Sequence, residues 1–314
     1  MTLALLIVLV AAHLTAVGLA TFGPLYCIWL EWRGRHEPEA GLLGRTLAAH
    51  CIFALVLGGV LGAAQLALLY ASGNGSYWNA LATIKPSRWW FSGVEYFFSI
   101  ACYTVYWAAW NRWAGRRWLH RLVALIGSTN LAYHFPALFV VVGLVSHRPA
   151  LWESRVSVPQ VLLEQHTLAR VGHFLIAAVI FSAVYLIWLA LRDNSVSDSR
   201  RKLTTLPAWL GLAATLTQFP LGMWIIMQLP PEQRPLLLGG NLWATSALGL
   251  AVMLSVLLMH QLAAIALGDT DRSAARKAMA LVLWVFLAMA ATRHLLQPAT
   301  FSDTGATAHQ TRGE

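Results

Sequence analysis

Acid is what this chain lacks most. It has 13 Asp and Glu among 314 residues, against 22 Lys and Arg, and only 11% of its residues are charged. An ordinary soluble domain carries about 25%, so a water-solvated globule is excluded. Cysteine is nearly absent too. Cys27, Cys51 and Cys102 all fall inside apolar runs, which leaves no disulfide framework. There is no Cys-x-x-Cys-His, which excludes covalent attachment of a c-type haem. The apolar runs do not alternate with polar residues, so they are not the strands of an outer-membrane barrel. The net charge of +9 sits in short connections between apolar runs, where membrane topology explains it; no nucleic-acid partner is expected.

What remains is apolar, with 58% hydrophobic residues in runs of 20 or more. The expectation is an all-α polytopic bundle in the lipid bilayer. About eight transmembrane helices are read, at roughly 3–31, 46–72, 89–113, 118–146, 161–191, 204–228, 239–267 and 275–297. The opening run, MTLALLIVLVAAH, has no basic n-region and continues to about residue 30, so it reads as the first span and not a cleaved signal. No connection is long enough for a soluble domain. Residues 1–298 form one bundle, and 299–314 form a polar tail expected to be disordered. The connections after spans one, three, five and seven hold fourteen Lys and Arg, and the opposite side seven. Both termini are therefore expected on the outer, periplasmic side of a bacterial inner membrane. Trp32, Trp89, Trp90, Trp113, Trp118 and Trp243 lie near span ends, as interfacial aromatics do.

Eleven histidines stand out. His36, His147 and His309 fall in loops or the tail and are read as solvated. His120 lies at the start of the fourth span. His13, His50, His134, His166, His173, His260 and His294 lie in or beside spans. At ~1.5 Å of rise per residue, His13, His134 and His173 come near mid-depth in the outer half. His166 and His294 lie nearer the outer surface, and His50 and His260 on the cytoplasmic side. Histidines on different helices at matching depths are what b-type haem requires, with the porphyrin held inside the bundle. A single buried histidine is more often a hydrogen-bonded packing residue, and transporters use histidine as a proton relay. Relays, however, add carboxylates at mid-depth, and Glu95 is the only acid well inside a span. Arg170, between His166 and His173, suits a haem propionate or an ion pair with Glu95. His166 and His173 are seven residues apart, ~10 Å along a helix, too far to share one iron. The expectation is two stacked haems, His166 pairing with His294 and His173 with Met253, and a further iron shared by His50 and His260 only if those two meet.

Three stretches resemble a known family. HLTAVGLATFGPLYCIWLE, from His13 to Glu31, is similar to the first helix of cytochrome bd quinol oxidase subunit I, where a haem-ligating His precedes a Glu at the cytoplasmic end. FFSIACYTVYWAAWNRWAGRRWLHRLVALIGSTNLAYHF is similar to its third and fourth helices, through Trp110, Asn111, Arg112, His120 and Leu122 to Leu131. His166 and Thr167 resemble the His-Thr that carries a ligand of the low-spin b haem. The likeness covers about the first 190 residues in order.

The resemblance implies b-type haems, a quinone, and a place among other respiratory-complex subunits. The departures are as informative. The large outer quinol-binding loop is reduced to LPPEQRPLLLGG, and the two glutamates of the family's third helix are replaced by Phe91 and Ser99, with Glu95 between. Met253 and His260 are the candidates for the second axial ligand, and His50, His134, His173 and His294 are additional. Extra histidines close axial positions, and six-coordinate haem moves electrons without binding oxygen. The expected function is a membrane cytochrome with two or three b haems, passing electrons between a quinone pool and a partner. The alternatives are a shortened quinol-oxidising, oxygen-reducing oxidase with a haem d-type site and, more distantly, a haem-free transporter.

Overall fold

The computed structural model describes residues 2–73, 75–152, 158–193 and 197–296; the tail at 299–314, His309 included, lies outside the described residues. In chain order the α-helices are α1 (Thr2–Arg33), α2 (Pro38–Ala71), α3 (Gly75–Thr83), α4 (Pro86–Ala108), α5 (Arg117–Val145), α6 (Val158–Leu162), α7 (Gln165–Leu191), α8 (Asp198–Lys202), α9 (Thr205–Met227), α10 (Leu242–Ala266) and α11 (Arg272–Leu295). No strand occurs among the described residues.

Seven helices are long and apolar enough to cross a membrane: α1, α2, α5, α7, α9, α10 and α11. The other expected span is α4. It has 23 residues, but its Ser, Tyr, Trp, Arg88 and Glu95 keep it below that apolarity. It is a two-sided helix, with Glu95, Ser99, Cys102, Tyr103 and Tyr106 buried and Trp90, Val94 and Phe97 exposed. α2 starts eight residues before the expected 46, because Pro38 begins a helix whose first turn packs on the end of α1 at Gly34 and Gly41. The boundaries of the last two helices are written in the sequence. Asn241 accepts from the Ala244 amide at 3.1 Å to cap α10, Gly268 at φ +118° stops it, and Asp271 caps α11 through the Ala274 amide.

The long helices form two groups of four. In the first, α1 packs on α2 and α5, and α4 on α2 and α5; in the second, α7 packs on α9 and α11, and α10 on α9 and α11. α1 and α7 join the groups. Between helices in lipid there is little hydrophobic drive, so close approach through small residues matters more. A methyl at Gly18 would lie 3.4 Å from the Ala178 Cα, and one at Gly23 would overlap the Cys51 sulfur at 2.5 Å.

Pro24 sits inside α1 and cannot donate to the Ala20 carbonyl. The buried Tyr103 hydroxyl, from α4, donates to that carbonyl at 2.7 Å, and Ser128 Oγ, from α5, donates to the neighbouring Thr21 carbonyl at 2.6 Å. The proline thus frees an acceptor that another helix uses, tying the first group together and fixing its register.

Candidate functional site

The helix contacts set relative depths. The end of the bundle where α1 begins is termed the amino end, and the opposite end, where the arginine-rich connections lie, the basic end. α1 and α7 run parallel through Gly18 and Ala178, and Ser182 Oγ donates to the Gly18 carbonyl at 3.3 Å. His13 is five residues towards the amino end from Gly18, and His173 five from Ala178, so the two lie at one depth. On antiparallel α5, His134 lies six residues beyond Ser128, while His13 lies eight beyond Thr21; these are ~9 and ~12 Å. On α11, Phe286 meets Phe181 of α7 with ring centroids 5.7 Å apart, and His294 is as far beyond Phe286 as His173 is from Phe181. His13, His134, His173 and His294 therefore form one layer, with Glu95 in it.

Within the layer the rings differ in what they touch. His13 Nδ1 is 2.8 Å from the Gly58 carbonyl, and its ring lies over Gly62, where a methyl would be 3.1 Å from Cε1. With Nδ1 donating to that carbonyl, Nε2 is left to bind a metal, the arrangement that orients ligating histidines. His134 Nε2 is 2.8 Å from Glu95 Oε1, while Glu95 Oε2 is buried without a hydrogen-bond partner. Asn130 steadies this pair by donating to the Glu95 carbonyl at 3.0 Å and to Ser99 Oγ at 2.8 Å. His173 Nδ1 is buried without a partner, beside Gln218, whose amide donates to the His173 carbonyl at 2.9 Å. His294 is half-buried near the end of α11.

The packing around this layer is loose. Every residue of α7 from Arg170 to Ala177 is half-buried, around two full turns, whereas Ala178 to Leu191 is almost entirely buried. Partly exposed surface around the helix at His173, with a ring nitrogen that makes no hydrogen bond, is where a flat cofactor could lie. No convergence of three or more His, Cys, Asp or Glu side chains suited to a bare metal ion occurs among the described residues. A haem needs only one or two protein ligands.

No protein-family model matches this chain, and no curated protein matches it.

The remaining expected ligands fall elsewhere. His166 is half-buried at the first turn of α7, ~10 Å nearer the amino end than His173. Its neighbours are Arg148 and Glu164, which form a bidentate pair at 3.0 and 2.8 Å. His294 is thus level with His173, not with His166 as the sequence reading had it. Met253 is also level with His173, through α9, but it is 54% exposed on the face of α10 opposite buried Ala251, Leu258 and Leu262. His260 shares that outward face, while His50 Nδ1 is engaged by the Tyr185 hydroxyl at 3.1 Å, so His50 and His260 do not meet. Arg170 and Glu95 form no ion pair: Glu95 lies on α4, which packs on α2 and α5, while Arg170 lies on α7.

Arg170 has a different neighbour, Arg293 of α11, whose guanidinium reaches Gly143 on α5. Neither arginine has a carboxylate within salt-bridge distance among the described residues. Sequence reasoning did not single out Arg293; its seven-residue distance from Phe286 was the available signal. Two uncompensated guanidiniums beside the histidine layer suit an anionic group.

A second polar cluster lies at the basic end. Glu31 is buried, with Oε2 3.1 Å from His120 Nδ1 and 3.2 Å from the Tyr106 hydroxyl, and Oε1 3.3 Å from Arg117. His120 is fully buried and stacks on Tyr106, with centroids 4.2 Å apart. Its Nε2 contacts the Tyr106 carbonyl at 2.6 Å. His36 and His147 are exposed, as expected.

Proposed function

We propose that the protein is a multi-haem b-type membrane cytochrome that transfers electrons, built like cytochrome bd quinol oxidase subunit I and working with other respiratory-complex subunits and a quinone pool. The observation that supports this most is the histidine layer. His13 and His173 lie at one depth on adjacent helices, one in each four-helix group; His13 Nε2 makes no hydrogen bond, and the His173 ring has only the Gln218 side chain beside it. Two haems side by side would allow electrons to pass between the groups. His13 would hold one through Nε2. His173, with His294 at its level, would hold the other, and Arg170 and Arg293 would receive propionates. In this reading α4 is an eighth span, the amino end faces the periplasm, and the basic end faces the cytoplasm of a bacterium, in keeping with the arginine bias.

Glu95 and His134 favour a second reading. A hydrogen-bonded carboxylate and imidazole at the depth of His13 can deliver protons, which an oxygen-reducing haem requires. His134 in this geometry is a partner of Glu95 and less suited to closing an axial position.

The purified protein is expected to show sharp reduced α and Soret bands and two or three haems by the pyridine haemochrome assay. His13→Ala should remove about one equivalent without loss of the fold. His173→Ala should remove a spectrally different haem. If His166→Ala removes that same haem, only one of the two histidines is its ligand; if it removes another, a further haem lies at the amino end. Carbon monoxide binding to the reduced protein supports the oxidase reading, and its absence the electron carrier. A protein with neither bands nor haem refutes both.

A further inference from the structure

α1 and α5 leave a groove between them on the outer surface of the bundle, towards the basic end. It is lined by Leu25 and Ile28 of α1 and by Trp118, Arg121, Leu122 and Leu125 of α5, and it holds about 330 Å³, within the size range of small-ligand sites. Its polarity is graded along the helix axis. Trp118 and Arg121 come from the first turns of α5, whereas Leu125 lies eight residues, ~12 Å, beyond the start of that helix. Trp118 is exposed, as an aromatic at a membrane surface is. The groove thus has a cationic rim at the end of the spans and an apolar floor running towards their middle.

Arg121 is not satisfied from within the bundle. Its nearest carboxylate is Glu31, and Nε stands 3.6 Å from Oε2, beyond hydrogen-bond reach. Arg121 Nε and Nη2 are buried without a hydrogen-bond partner, so only Nη1 is left at the surface. Glu31 is already engaged by His120, the Tyr106 hydroxyl and Arg117. One carboxylate therefore faces two guanidiniums, and a positive charge is left over. Arg112 and Arg116, exposed on the connection at the same end, have no carboxylate within salt-bridge distance among the described residues.

We infer that this groove is a binding site for an anionic phospholipid. The phosphate accepts from Arg121 at the rim, and one acyl chain lies along Leu25, Ile28, Leu122 and Leu125. Basic pockets between membrane helices bind anionic headgroups. The unbalanced charge selects the occupant. Phosphatidylcholine brings its own cation to a rim that already has one too many, whereas the net negative headgroup of phosphatidylglycerol neutralises it. A quinone brings no charge, and an apolar polypeptide segment would cover the guanidinium without supplying an acceptor. The inference needs only the bilayer and stands apart from the haem reading.

The full-length protein in detergent is titrated with phosphatidylglycerol or phosphatidylcholine, and bound lipid is counted by native mass spectrometry. The first phosphatidylglycerol is expected to bind about fivefold more tightly than the first phosphatidylcholine, the worth of one arginine at an anionic surface. Arg121→Gln should remove that preference without weakening phosphatidylcholine. Arg276→Gln makes the same change of charge at an exposed position of α11 at the same end, and should leave the first site unaltered. Equal affinity of the wild type for the two lipids, or equal effects of the two arginine substitutions, overturns the proposal. Because Arg121 belongs to a buried cluster, Leu125→Trp is the second variant. It fills the groove from an exposed position and leaves the cluster intact, so it should remove the first phosphatidylglycerol; retention of that lipid overturns the site. A benzophenone amino acid in place of Leu122, irradiated in native membranes, identifies the occupant. An adduct of phospholipid mass is expected, and an adduct to a polypeptide overturns the proposal.

Discussion

Replacing Tyr103 with Phe removes one oxygen and leaves the ring, so it isolates the bond that Tyr103 makes to the Ala20 carbonyl at 2.7 Å. That carbonyl is the acceptor that Pro24 has left without its helical partner. A buried unsatisfied acceptor costs about 1–3 kcal/mol, whereas interhelical hydrogen bonds in a membrane protein average only about 0.6 kcal/mol, because a severed group finds another partner. Here no backbone N–H can take over, and Tyr103 is 2% exposed, so water does not reach the site. We therefore expect Tyr103→Phe to cost about 1.5 kcal/mol, or roughly a tenfold change in the unfolding equilibrium. In a Pro24→Ala background the Ala20 carbonyl regains an intrahelical donor, and the same substitution should cost about 0.5 kcal/mol. The coupling of about 1 kcal/mol is measured by a double-mutant cycle, from reversible unfolding in mixed micelles. Equal costs in the two backgrounds would refute the reasoning that the proline creates the need for the tyrosine.

Glu31→Gln leaves Arg117 and Arg121 beside a neutral group within a buried cluster; breaking such a pair costs about 3–5 kcal/mol, and the partial exposure of both arginines places the loss at the lower end, read as a fall in thermal midpoint. Outside the spans, the hydrogen bonds from Arg148 hold the Glu164 carboxyl below its ordinary range. That stabilisation is present above about pH 4.3, the ordinary glutamate value, and is lost as pH falls through the lowered value. Because both groups are about one-third exposed, the difference between wild type and Glu164→Gln at pH 7 should be at most about 1 kcal/mol and should vanish in acid. A difference that grows on acidification would contradict the pairing.

The sequence made most of the long helices legible, because apolar run length is a local signal, but depth less so: His294, read as level with His166, lies level with His173. Faces were not legible in the same way. Met253 was placed at the right depth, yet the apolar residues on all sides of α10 hide which stripe is buried. Partner choice was less legible still: Glu31 and His120 are 89 positions apart, and only the folded bundle shows that they meet. α4 read as a span because its aromatic residues count as apolar, although the carboxylate, serine and tyrosines on its inner face make it the most polar of the eight.

The uneven enclosure of α7 bears on how the protein is put together. From Ala178 to Leu191 it is almost entirely buried, from Arg170 to Ala177 it is half-buried, and Thr167 and Ala169 hold its first turns with no exposed surface. Such a middle stretch can open locally while its flanks stay folded. The haem proposed above would then enter after the bundle has formed, without dismantling it. Its loading would be read as new protection from hydrogen exchange between Arg170 and Ala177, with Ala178 to Leu191 already protected beforehand.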